Sequence, residues 1–211
     1  MEIRGQVTNW GWNSARPDER FARDPLPVPE FVEAFVGRLA EVSGDPSGAP
    51  LTLVFRLVLE AQRRGEPVAW IGRRQNSFFP PDVAEAGVDL EALPVVWAPD
   101  AIAAARTADL LVRSGAFGLV LVDLGAEAHL PAAVQTRLAG LAKRHGAAIV
   151  FLTEKQDDRP SLGSLVSLRT HTTRTGRDTG SFHCEARALK DKRRGPGWLH
   201  AEVCRGPDGL C

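Results

Sequence analysis

Five short runs of mostly aliphatic residues, separated by four stretches with helical periodicity, confine this chain to a layered α/β architecture. The runs are Arg38–Ser43, Pro67–Ile71, Pro94–Trp97, Gly118–Asp123 and Ala147–Leu152. Runs of this length with no polar alternation are buried on both faces, and parallel strands covered by helices on both sides bury them that way. Between them the periodicity predicts helices over Leu51–Arg64, Pro81–Ala86 and Ala101–Ser114, and another from Pro131 to His145. Asp100 is placed to cap the third, Gly65 and Gly87 to end the first two, and Pro131 fits a first helical turn. On the first helix Arg56, Glu60 and Arg63 form one polar stripe on an otherwise apolar cylinder, as on a helix packed against a sheet.

After residue 160 the pattern changes. Ser164–Arg169, Ser181–Leu189 and Trp198–Cys204 alternate apolar with polar positions, as half-exposed antiparallel strands do. Phe182, Cys184, Ala186 and Ala188 are expected to face inward from one strand, and Leu199, Ala201 and Val203 from another, with a basic loop Lys190–Gly197 between them. Residues 1–30 read as a polar, proline-rich arm carrying Trp10 and Trp12, and 31–211 as one domain, a size at which a single core is well buried.

Composition narrows the function classes. With 44% apolar and 25% charged residues the chain is too apolar for a disordered protein, and no apolar run approaches the roughly 20 residues of a membrane span. Cys184, Cys204 and Cys211 form no CxxC pair, so a reduced cytoplasm and buried, unreactive thiols are expected. Net charge is zero, but acidic residues prevail over the first 100 positions and basic ones from Arg169 onward. Any acidic partner such as DNA is therefore expected at the C-terminal portion.

Parallel strands first and antiparallel strands last resembles the RecA core, and the likeness runs from about residue 37 to the C-terminus. It is carried by GRLAEVSGDPSGAPLTLVFRLVLEAQRRGEPVAWIG at 37–72, AEAGVDLEALPVV at 84–96, RSGAFGLVLVDL at 113–124 and FHCEARALKDKRRGP at 182–196. Two further stretches are similar to the ImuA family of bacterial SOS mutagenesis cassettes: GRRQNSFFPPDVAEAGVDLEALPVVWAPD at 72–100 and QTRLAGLAKRHGAAIVFLTE at 135–154. The resemblance implies a mainly parallel sheet flanked by helices. It also implies a role in translesion DNA synthesis, with an ImuB-type polymerase-like protein, RecA and a DnaE-type error-prone polymerase as partners.

The residues that would bind and hydrolyse a nucleotide are missing. A phosphate loop GxxxxGK[ST] needs backbone N–H groups at a helix N-terminus, a lysine for the terminal phosphate and a hydroxyl for magnesium. Here the stretch from Gly44 to Leu51 carries Gly48 one residue early, Pro50 at the lysine position and Leu51 at the hydroxyl position. Asp123 stands where the resemblance places a metal-binding aspartate, and Arg73, Arg74 and Gln75 where it places the catalytic glutamate. No cofactor, no metal and no catalytic activity are expected. The connections that would form DNA-binding loops are short (124–131) or acidic, with Asp157 and Asp158 between Glu154 and Gly163. An alternative reading is weak, non-specific DNA binding through Arg169, Arg174, Arg177, Lys190, Lys192, Arg193 and Arg194. The resemblance also implies that Lys190 and Lys192 reach toward a phosphate held by a neighbouring RecA-type subunit.

Overall fold

The computed structural model describes residues 25–45, 49–73, 79–126, 129–178 and 181–205. The expected elements over Trp10 and Trp12, and those over Gly48, Arg74, Gln75 and Cys211, lie outside them. Along the chain run α1 (Val28–Glu33), β1 (Leu39–Gly44), α2 (Pro50–Arg63), β2 (Val68–Gly72), α3 (Pro80–Glu85), β3 (Val95–Trp97) and α4 (Ala101–Arg113). They are followed by β4 (Leu119–Gly125), α5 (Ala132–His145), β5 (Ala148–Glu154), β6 (Leu168–Asp178), β7 (Ser181–Asp191) and β8 (Leu199–Arg205).

The strands form one eight-stranded sheet in the order β3-β2-β4-β5-β1-β6-β7-β8. It is parallel from β3 through β6 and antiparallel from β6 to β8. Each of β1, β2 and β4 is buried along its whole length, which is why their sequences show no alternation. Alternate side chains feed two cores. Ala40, Val42, Trp70, Leu121 and Val150 pack with α1, α2 and α3 on one face. Leu39, Ile71, Val122, Ile149 and Phe151 pack with α4 and α5 on the other. Phe55 of α2 stacks on Trp70 with ring centroids 5.1 Å apart. Asp100 caps α4 as expected, accepting from the Ala103 N–H at 2.7 Å.

Three expectations need correction. Ser164–Arg169 is not a strand: β6 starts at Leu168, continues to Asp178 and pairs parallel with β1 before turning antiparallel to β7. Residues 161–167 are instead a plug that buries Val166 in the α4–α5 core. Gly163 is needed there because a Cβ would lie 2.2 Å from Oε1 of the buried Gln135. The second correction is to β8, whose phase is opposite to that expected. His200 is buried, whereas Ala201 is exposed and Val203 is 62% exposed. Polar residues face inward there because each has a partner: Glu202 accepts from Arg56 of α2 at 2.8 and 2.5 Å, and His200 stacks on Phe31 at 4.2 Å. In the third, Lys190 and Asp191 belong to β7 rather than to a loop, pairing with Arg169 and Leu168.

Helix α1 straddles residue 30. Leu26 donates its N–H to the Leu199 carbonyl at 2.7 Å, and Phe31 is buried against Trp198 and His200.

Candidate functional site

In an open α/β sheet, ligands settle beyond the carboxyl ends of the strands where successive crossovers leave for opposite faces. Here the chain leaving β1 enters α2 on one face and the chain leaving β4 enters α5 on the other. A cleft of about 570 Å³ opens at that point, lined among others by Asp45, Ala126, Glu154, Lys155 and Arg159.

The turn from β1 into α2 is shaped by packing. A Cβ at Gly44 would lie 2.3 Å from Oγ1 of Thr172 in β6 and 3.4 Å from Cδ of Pro50, so neighbouring protein already occupies the space beside this glycine. Ala49 is left-handed at φ 54°, ψ 41°, in the position where the phosphate-loop pattern has its second glycine. Ala49 holds that left-handed conformation at a steric cost that glycine would not carry. Pro50 opens α2 and supplies no N–H, and Leu51 turns a half-exposed isobutyl group outward at the hydroxyl position. The helix N-terminus therefore offers an anion fewer donors than an ordinary one.

Beneath the cleft lies a network that pattern reading missed. Glu41, fully buried in the middle of β1, accepts from the Thr153 hydroxyl at 2.8 Å, the Leu162 N–H at 2.8 Å and the Lys155 ammonium at 2.5 Å. Lys155 also donates to the Pro160 carbonyl at 2.8 Å. Three donors on one carboxylate make this a satisfied buried charge. The signal in the sequence was a lone acid inside an apolar strand, LAEVS.

Asp123, two residues before the end of β4, is almost fully buried and accepts the Gly125 N–H at 3.2 Å. Burial raises its carboxyl to about 6, against the lowering effect of that hydrogen bond and of Arg73. With Arg73, Asp100 and Ala101 it lines a second cleft of about 250 Å³. Arg73 itself donates to the Leu124 carbonyl at 3.1 Å.

The basic residues do not converge on one surface. Arg169 is buried and donates to the Ser43 hydroxyl at 3.1 Å, the Gln156 carbonyl at 2.8 Å and the Arg159 carbonyl, clamping the chain after β5. Lys190 donates to Ser161 Oγ and the Gly163 carbonyl at 3.2 Å each, and burial lowers its pKa. Lys192 donates to the Ser164 carbonyl at 2.7 Å. Both ammonium groups are thus directed at the 161–164 plug. Arg193 donates to the Val36 and Gly37 carbonyls behind α1, and Arg194 lies 3.9 Å from Glu30. Arg174 stacks over the Phe182 ring at 3.9 Å, and Arg177 follows it in β6.

A family model described as the RecA N-terminal domain matches residues 33–150. Protein RecA of Rhodospirillum rubrum is 28% identical over 182 residues, covering 74% of this chain and 48% of that protein. Protein RecA of Acinetobacter baumannii is 26% identical over 72% of this chain and 47% of its own length. For Protein RecA of Rubrobacter xylanophilus the identity is 30%, over 57% of this chain and 40% of that protein. The chain spans about half the length of the curated relatives it matches.

Proposed function

The chain belongs to the RecA N-terminal domain family, and from that premise we propose that it is a non-catalytic, RecA-like adaptor of SOS-induced translesion DNA synthesis, similar to ImuA. The observation that carries the loss of catalysis is the start of α2, where Ala49, Pro50 and Leu51 replace the glycine, lysine and hydroxyl of a phosphate loop. A proline at the first helical position removes a charge-assisted contact and a backbone donor together, and leucine cannot ligate magnesium. A shell that keeps the family's sheet without these groups is suited to protein contacts.

The partners follow from the likeness to ImuA: an ImuB-type polymerase-like protein, RecA, and a DnaE-type error-prone polymerase. DNA binding through the C-terminal cations is less favoured, since Arg169, Lys190, Lys192 and Arg193 already donate to groups of this chain. An ATP titration by calorimetry, with and without magnesium, tests the first half of the proposal. Submillimolar affinity overturns it. Co-purification with an ImuB-type partner, retained by a Pro50→Ala, Leu51→Ala variant, tests the second. Loss of the partner in that variant would place binding at the vestigial loop instead.

A further inference from the structure

The two described cysteines lie together on adjacent strands. In the β7–β8 register Cys184 is opposite Glu202 and Phe182 is opposite Cys204, so the two thiols are diagonal neighbours on the inward face. They are near enough to shift each other's ionisation and are not cross-linked. Cys184 is completely buried, whereas Cys204 is only half-buried. Charged groups reach the pair from three elements: Arg56 from α2, Arg174 from β6, and Glu202 from β8 itself. Two of those three are guanidiniums, and Arg56 is also bound to Glu202 at 2.5 Å.

We propose that Cys204 and Cys184 form a peroxide-oxidisable pair, with Cys204 as the attacking thiol and Cys184 as the thiol that resolves it. The hydrogen bond from Cys184 lowers the Cys204 pKa, and the same contact with burial raises that of Cys184. Cys204 is thus the sulfur that solvent and peroxide can reach and the one whose thiolate is favoured, as nucleophilic attack needs. In the first step Cys204 thiolate attacks one oxygen of hydrogen peroxide and the O–O bond breaks. The departing hydroxide takes up a proton to become water, and Cys204 is left as a sulfenic acid. In the second step Cys184 sulfur gives up its proton and attacks Cys204 sulfur. The S–O bond breaks, a second water leaves, and a disulfide joins β7 to β8. Overall, two thiols are oxidised by two electrons and one peroxide is reduced to two waters.

The test uses the full chain carrying Cys211→Ser, so that only these two thiols remain. The protein is exposed to hydrogen peroxide in the presence of dimedone, alongside an equal concentration of glutathione, and its peptides are mapped by mass spectrometry. The expected result is a dithiothreitol-reversible Cys184–Cys204 linkage formed before half of the glutathione is oxidised. A Cys184→Ser variant should instead accumulate a dimedone adduct on Cys204, and a Cys204→Ser variant should leave Cys184 unmodified. Two free thiols after the glutathione is consumed would overturn the proposal, as would a dimedone adduct on Cys184 in the Cys204→Ser variant. Should Cys184→Ser fail to fold, as circular dichroism will reveal, the linkage in the Cys211→Ser protein alone decides.

Discussion

Asp123 and Ala49 are residues whose surroundings work against their chemistry. The Asp123 carboxyl is raised to about 6 by burial, so the folded state holds its proton more tightly than the unfolded chain does. The sign follows directly: its contribution to stability is largest below the unfolded carboxylate range and is lost as pH rises through about 6. Asp123→Asn keeps an acceptor for the Gly125 N–H and removes the charge. The variant should be more stable than the parent by about 3 kcal/mol near pH 7 and nearly equal to it near pH 4, as urea unfolding at the two pH values will show. Ala49 bears the cost of a left-handed residue with a Cβ. Ala49→Gly relieves about 1 kcal/mol of that strain and returns part of it as unfolded-chain entropy. A small net gain in the urea midpoint is expected, and a loss would show that the turn is held by contacts of the Ala49 methyl group.

At the scale of elements, strand phase carries more consequence than strand existence. On β8 the exposed side chains are those of Ala201, Val203 and Arg205, while β7 directs Cys184 and Ala186 into the core. Val203→Lys should therefore change stability by no more than about 0.5 kcal/mol, whereas Ala186→Lys puts an ammonium group into the α2 core and should abolish folding. Thermal unfolding of the two variants separates the observed phase from its opposite. The sequence favoured that opposite phase because Leu199, Ala201 and Val203 are the apolar set. Pattern reading cannot weigh Arg56, which lies 146 positions before Glu202 and makes the inward carboxylate tolerable. Strand β6 was misplaced for a related reason. In its buried stretch the Thr172 hydroxyl donates to the Ser43 carbonyl at 3.2 Å and His171 Nδ1 lies 3.5 Å from the Ser43 hydroxyl, and such polar pairing with β1 leaves no apolar run to find.

For the whole molecule, the dispersal of cations sets how it meets nucleic acid. Arg174, over the Phe182 ring, and Arg194, 3.9 Å from Glu30, are exposed, while Arg169, Lys190, Lys192 and Arg193 tie the C-terminal strands to the 155–164 segment and to the turn after α1. On single-stranded DNA two phosphate contacts lose about sevenfold in affinity between roughly 50 and 200 mM salt, whereas seven lose roughly a thousandfold. Anisotropy with labelled single-stranded DNA should give the shallow dependence, and a steep one would mean that the tied cations are released on binding. Sequence alone determined the parallel α/β core, its helices α2 to α5, the cap at Asp100 and the loss of lysine and hydroxyl after β1. These rest on local periodicity and on the chemistry of single side chains. Only the tertiary structure decided which face of β8 is buried, where β6 lies, that Glu41 and Lys155 form the floor of the cleft, and that Lys190 and Lys192 point into their own chain. Each of these depends on a partner far away in sequence, and the free energy of a buried polar group is set by that partner rather than by its neighbours along the chain.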